Sequence, residues 1–397
     1  MIANKPFFVL LVCIWLLPFA SVQLLPFGIP LYPIEAVLLV ASPFLLERRI
    51  RNIFQTRITR NIFIFALILC GGIITSFLSN PETLIGLGQI KSFFFFPILL
   101  WLVATPILSE FECRKRVFWH LRWMFLATAV CAATSVFFGG LTYDYRLSAW
   151  FQSPNLLALF LLPGVILWWA YMLLKERIFV YEGIFWAIMT GVFVATQSYG
   201  AFVAAFAAIL SFLWISRAYV LWKRPVFKIM LIGLLLIGTG IFLGGGGAGI
   251  TKWTLLITGD ERSSLSSREM IWRSAWKMIQ DSPVFGIGPG RFQEVYLEYQ
   301  RFYPPYLEWA VPHPHNLFLS FWLSSGIFGV FSIVWLCLFL FYSMRQISCK
   351  TEKALIGALF LGVFVAGLWD VPYFRAEFCF VFWLTLALFS GMVLRKK

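Results

Sequence analysis

SFFFFPILLWLVATPIL, residues 92–108, holds no charged residue and does not alternate polar with apolar side chains. A membrane β-strand would alternate, with one face to lipid and one to the lumen. A helix crossing a bilayer instead needs roughly 20 apolar residues in a row. The stretch therefore reads as a transmembrane helix, and the rest of the chain follows it. Of 397 residues, 60% are apolar and only 13% charged, against about 45–50% and about 25% in soluble domains. That composition excludes an ordinary soluble enzyme, a disordered chain and a coiled coil. The expected fold class is an all-α integral membrane protein with about 12 transmembrane helices. Residues 1–397 are expected to form a single polytopic domain. The apolar spans fall at roughly 6–22, 28–46, 62–79, 92–109, 117–139, 156–174, 182–198, 200–216, 229–247, 316–343, 354–370 and 375–394.

The formal charge is +14. In a soluble protein such an excess would suggest nucleic acid; in a membrane protein, basic residues mark cytoplasmic loops. With the N-terminus inside, the inner segments hold 21 Lys and Arg, and the short outer loops hold only Lys91, Arg146 and Arg375. The charges therefore predict cytoplasmic N- and C-termini and no nucleic-acid partner. Ala20-Ser21-Val22 resembles a signal-peptide cleavage region, but an uncleaved first span fits the charge alternation. The seven cysteines form no C-x-x-C pair, so neither a disulfide framework nor a zinc site is expected.

Residues 248–315 form the large extracytoplasmic loop between spans 9 and 10. Long ordered loops usually carry function. It opens after Gly244-Gly245-Gly246-Gly247, read as a helix terminus with a flexible exit. SSLSSREMIWRSAWKMIQDSP, residues 263–283, follows. Ser266 and Glu269 fit a capping box, and Ile271, Trp272, Ala275, Trp276 and Ile279 recur at helical spacing. Glu269 and Arg273 form an attractive i,i+4 pair, whereas Arg273 and Lys277 make a basic stripe. Such a helix either lies at the membrane interface or packs on the spans. Trp272 and Trp276 read first as packing or interface residues, with stacking on sugars as the alternative. VFGIGPGRF, residues 284–292, reads as a turn: Arg291 stands where a dinucleotide fingerprint needs its third glycine, and no strand precedes it. A second amphipathic stretch covers about 291–303.

The loop closes with VPHPHNLFLS, residues 311–320. Two of the chain's three histidines, His313 and His315, stand there; His120, the third, reads as structural. His315 has Asn316 beside it as an orienting polar group. An imidazole of ordinary pKa, near 6.5, suits proton abstraction around neutral pH. Two histidines alone do not make a metal site. Glu35, in span two near its outer end, is an expensive carboxylate that either lines a cavity or is a snorkelling or protonated side chain.

Three passages resemble the O-antigen ligase and polymerase family of bacterial envelope glycan assembly. His315-Asn316, nine residues, Gly326, two residues, Gly329 and Val330 look like the ligase pattern H-[NSQ]-x9-G-x-x-G-[TV]. The stretch from Ser266 to Phe292 is similar to the family's loop helix with its glycine turn. Arg146, Pro154 and Asn155 are similar to the family's earlier Arg…Pro-Asn passage. One departure stands out: Thr196-Gln197-Ser198-Tyr199-Gly200 has Tyr199 where relatives often carry Arg.

The resemblance implies a GT-C-like membrane glycosyltransferase of the bacterial cytoplasmic membrane with its active face extracytoplasmic. It would move a glycan from undecaprenyl diphosphate to a hydroxyl on a glycan, lipid-linked or other acceptor. The donor's lipid keeps the enzyme in the bilayer. The diphosphate calls for basic groups at the outer headgroup level, and Arg268, Arg146 and Lys91 are the candidates. His315 is the expected base, with His313 a weaker candidate and Asn316, Glu35 and Tyr199 in support. Single displacement implies inversion, with no metal and no other cofactor. The H-N-x9-G-x-x-G-V spacing favours ligase over polymerase. A transporter or flippase would place ionisable groups near the bilayer midplane, and the spans are nearly free of them. The missing Arg at Tyr199 leaves a non-catalytic scaffold as a further alternative.

Overall fold

Helix follows helix along the chain, because the apolar runs leave the backbone no better way to satisfy its own polar groups in lipid. The structure is a computed structural model that describes residues 5–24, 31–46, 53–54, 56–80, 84–216, 228, 232, 264–304 and 311–394. The helices are α1 (Lys5–Leu16), α2 (Pro33–Leu46), α3 (Arg57–Ser79), α4 (Leu84–Ile107), α5 (Phe111–Thr134), α6 (Pro154–Leu174), α7 (Val180–Ala195), α8 (Tyr199–Ser216), α9 (Ser264–Asp281), α10 (Phe292–Tyr299), α11 (Leu317–Ser343), α12 (Lys350–Ala366) and α13 (Ala376–Val393). Among the described residues no strand occurs, only two isolated bridges. Each expected span coincides with a helix except 229–247, of which only residue 232 is among the described residues; Gly244–Gly247 and the loop up to residue 263 lie outside them. Seven of the described helices are long and apolar enough to cross a membrane. The chain is an all-helical membrane protein.

Two compact units emerge: Met1–Arg116, Asp260–Ile347 and Gly367–Lys397 form the first, and Val117–Gly259 with Ser348–Ala366 the second. In the second, α8 lies along α12, and α6 packs on α7, α8 and α12. Ser153 caps α6 by accepting from Leu156 N at 3.3 Å, and Pro154 takes the first helical position, where a missing N–H costs nothing. α6 is apolar all round and almost wholly buried, as such a helix must be.

In the first unit α11 lies along α3 and α13 along α4. Gly72 permits the first contact: a Cβ there would stand 2.7 Å from Phe328 Cβ. The second contact is tied by Trp101 Nε1, which donates to Ser390 Oγ at 3.0 Å. α4 contains a π-helical segment, Ile90–Phe95. Tyr373 donates from its hydroxyl to Phe93 O in that segment at 2.8 Å and accepts from Trp383 Nε1 at 3.0 Å. The buried tyrosine thereby anchors the turn between α12 and α13.

The glycine turn and α11 explain each other. Gly326 sits at φ 62°, ψ −160° and breaks α11, a backbone conformation essentially reserved for glycine. The break frees Leu323 O and Ile327 N. The turn takes both: Ile287 N donates to Leu323 O at 2.8 Å, Gly288 N to the same oxygen at 3.2 Å, and Ile327 N to Val284 O at 3.1 Å. Irregular backbone within a membrane helix persists only when neighbours satisfy it. There is no room for side chains: a Cβ on Gly326 would lie 1.9 Å from Val284 O, and one on Gly286 2.3 Å from Leu323 O.

The capping box expected at Ser266 is not what forms. α9 is already helical at Ser264, so Ser266 lies inside it. The basic stripe is also neutralised: Arg273 pairs with Glu269 at 2.6 Å and Lys277 with Asp281 at 2.7 Å. The other face of α9 buries Met270, Ile271, Ala275, Met278 and Ile279 against Phe292 and Tyr296 of α10.

Candidate active site

His315 stands between Pro314 and the first residue of a cap, with φ at 47°. For a residue other than glycine this left-handed backbone is uncommon, and such strain gathers at functional sites. Asn316 caps α11: its Oδ1 accepts from Phe318 N at 3.0 Å and Leu319 N at 3.1 Å. Its Nδ2 donates to Leu368 O at 3.1 Å, and Leu317 N donates to Gly367 O at 2.7 Å. The start of α11 is thus stitched to the turn that follows α12. That turn delivers Asp370, whose Oδ1 lies 3.4 Å from His315 Nδ1. Asp370 Oδ1 also accepts from Val371 N at 2.9 Å. The expected orienting role of Asn316 acquires a concrete form: it caps the helix and fastens the turn that carries the acid.

His313 lies edge-on to His315, ring centroids 4.5 Å apart. Burial, reinforced by the charge of His315 and Arg375, pushes its imidazole down to about 4. His313 is therefore neutral at neutral pH. Burial alone would raise the Asp370 carboxyl, but the adjoining His315 imidazole, His313 and Arg268 outweigh it and hold it well below the usual carboxylate range. His315 Nδ1 makes no hydrogen bond at this separation; the ionised Asp370 beside it electrostatically favours the tautomer with its proton on Nδ1, the one that presents Nε2 as an acceptor. Donor atoms of His313, His315 and Asp370 also lie within 4.8 Å of one another, a spacing that could hold a cation.

Arg268, on α9, is half-buried and exerts its charge on Asp370. Its Nε is buried with no hydrogen-bond partner. A buried guanidinium N–H without an acceptor calls for an explanation, and a phosphate oxygen is the acceptor it suits best.

Lys91 and Glu35 come together. Lys91 Nζ donates to Glu35 Oε2 at 2.5 Å, and Tyr32 N donates to the same oxygen at 3.0 Å. Glu35 is fully buried and ion-paired with the partly exposed Lys91. Lys91 lies in the π-helical segment of α4, a rare form frequent at functional sites. Arg375 pairs with the buried Glu377 at 2.8 Å, and its charge reaches His313 and Tyr32. Tyr32 in turn feels Glu35 and Glu377. Arg375 thus acts electrostatically on both Tyr32 and His313.

Arg146 and Tyr199 belong to the second unit, within electrostatic reach of each other. Arg146 donates from Nε to Thr196 O at 2.9 Å and from Nη2 to Asn155 Oδ1 at 2.6 Å. It joins the expected Pro-Asn passage to the Thr196–Ser198 turn, where Gln197 takes φ 50°.

Residues 184–334 match the family model of O-antigen ligase. The matched region runs from α7 into α11 and includes Tyr199, Arg268, His313, His315 and Asn316. The resemblance read from the motifs is borne out there. No curated protein matches the chain. Asp370, Arg375 and Glu377 lie beyond the O-antigen ligase match, and the motifs did not single them out as site residues. Asp370 did leave a signal: it is the one charged residue in the short connection LWDVPYF, 368–374.

Proposed function

We propose that the chain is an O-antigen ligase-type glycosyltransferase of the bacterial cytoplasmic membrane, acting on its outer face. The observation that carries this reading is the strained His315, backed by ionised Asp370, with Arg268, whose buried Nε has no hydrogen-bond partner, within electrostatic reach of Asp370. The donor is a glycan on undecaprenyl diphosphate. An acceptor hydroxyl gives its proton to His315 Nε2 while its oxygen bonds to the anomeric carbon. The bond from that carbon to the diphosphate oxygen breaks, and undecaprenyl diphosphate leaves with the electron pair. Arg268 neutralises the leaving group, so no metal is needed. Single displacement inverts the anomeric carbon. His313, neutral, packs the base in place, and Asn316 holds the turn that supplies Asp370. Lys91 and Arg146 already have partners within the protein, so the diphosphate falls first to Arg268.

A polymerase would use the same groups with a growing chain as acceptor. The spacing from His315 to Gly326 serves the broken helix, and it bears less on acceptor choice than the motif alone suggests. A transporter would place its ionisable groups near the bilayer midplane, whereas His315 and Asp370 stand at the start of α11 and in the turn after α12.

Proteoliposomes test the reading. Purified protein, host lipid-linked glycan and candidate acceptors should yield transfer that continues in chelator and is lost in His315→Ala and Arg268→Ala. The accepting molecule identifies ligase or polymerase. Full transfer by folded His315→Ala removes the mechanism, and loss on chelation with recovery on metal addition points to a cation held by His313, His315 and Asp370.

A further inference from the structure

One face of α9 is spent on the core; the opposite face has no such use. Glu269, Trp272, Arg273 and Trp276 follow the i, i+3, i+4, i+7 pattern that puts them on one side of the helix. They line a groove of about 480 Å³ whose far wall is the first turn of α11, with Asn316 and Phe318. This volume lies within the roughly 300–1,000 Å³ typical of small-molecule sites. Trp276 is 49% exposed, yet its ring is held edge-on to Trp322 at 5.8 Å, and Trp322 is fixed by donating from Nε1 to Pro283 O at 2.9 Å. The aromatic wall is therefore braced from behind and open in front.

We propose that this groove binds the sugar rings of the glycan substrate. The inference rests on the transferase reading and extends it to a saccharide subsite. A pyranose offers a patch of C–H groups on its face and hydroxyls around its edge. Indole faces suit the first. The Glu269–Arg273 pair, more than half exposed on both sides, supplies an acceptor and a donor for the second. A bilayer is the rival occupant of an exposed tryptophan. The Glu269–Arg273 pair leaves this face without net charge, so no electrostatic attraction to headgroups favours that occupant. The position fits too: Asn316 follows His315 directly, and Arg268 lies on α9 just ahead of Glu269. A glycan whose diphosphate meets Arg268, or an acceptor whose hydroxyl meets His315, would continue into the groove.

The test reads binding without turnover. Full-length protein in nanodiscs is titrated with oligosaccharide released from the host's lipid-linked glycan, and separately with delipidated core oligosaccharide as the acceptor. Saturation-transfer NMR reports which sugar protons touch the protein. Wild type should show saturable transfer to ring C–H protons of one of the two, which also tells donor from acceptor. Trp276→Ala should weaken that binding about tenfold, the order expected for one aromatic contact. Trp276→Phe, which keeps an aromatic face, should stay within about threefold of wild type. No saturable transfer from either saccharide, or equal binding by wild type and a folded Trp276→Ala, overturns the subsite. Failure of the transferase reading shows separately, as absence of glycan transfer in proteoliposomes while saccharide binding persists.

Discussion

His315 is strained, and what the strain achieves is aim. Its left-handed backbone turns the chain between the Pro314 approach and the Asn316 cap, so that Nδ1 meets Asp370. Asp370→Asn should keep the fold but lose control of the tautomer. Transfer should fall about 10²-fold in kcat with KM little changed, measured as initial rates in proteoliposomes. An unchanged kcat would reduce Asp370 to a structural residue. His313 gives a pH prediction. Its folded pKa, about 4, lies below the ordinary 6.5, so neutral His313 favours the folded state. That contribution is full above about pH 6.5 and is lost as pH falls toward 4. Thermal midpoints in detergent should drop across this window for wild type and drop less for His313→Gln. At this scale the sequence was informative where partners are neighbours: His313, His315 and Asn316 announce one another. Asp370 arrives from a distant turn, and no local pattern predicts which acid will face a given histidine.

Helices were the legible elements, since twenty apolar residues admit few other structures in lipid. Their interruptions were not. In the sequence Gly326 and Gly329 belong to the ligase-like spacing and VFGIGPGRF reads as a turn, with nothing to join the two. In fact Gly326 breaks α11 and the turn fills the break. Gly326→Ala should cost about 3 kcal/mol or more, since it adds a positive-φ penalty to a backbone clash. Gly286→Ala should cost a similar amount. Because both disrupt one contact, the double variant should lose clearly less than the sum. Thermal denaturation of the four proteins in one detergent decides this, and simple additivity would mean that the two glycines act separately.

Across the whole molecule, Lys and Arg placement carries the topology, because loop charge governs orientation. In a cysteine-free background, a membrane-impermeant maleimide added outside intact inner membranes should label Tyr143→Cys and Arg273→Cys and leave Arg177→Cys untouched. Labelling of Arg177→Cys alone would invert the orientation. The arrangement into two compact units left no trace in the apolar pattern. Hydropathy registers burial in lipid or protein alike and does not record which helix a span chooses as its neighbour.

The break in α11 also sets an order of events during synthesis. The ribosome makes residues 284–288 before the helix they complete, but they can reach Leu323 and Ile327 only once that helix exists. Until then, α11 can stay helical through Gly326 and keep both groups paired within itself. Docking of the turn exchanges those internal bonds for bonds to Val284, Ile287 and Gly288. The break in α11 is therefore the imprint of a partner that was synthesised first and seated last.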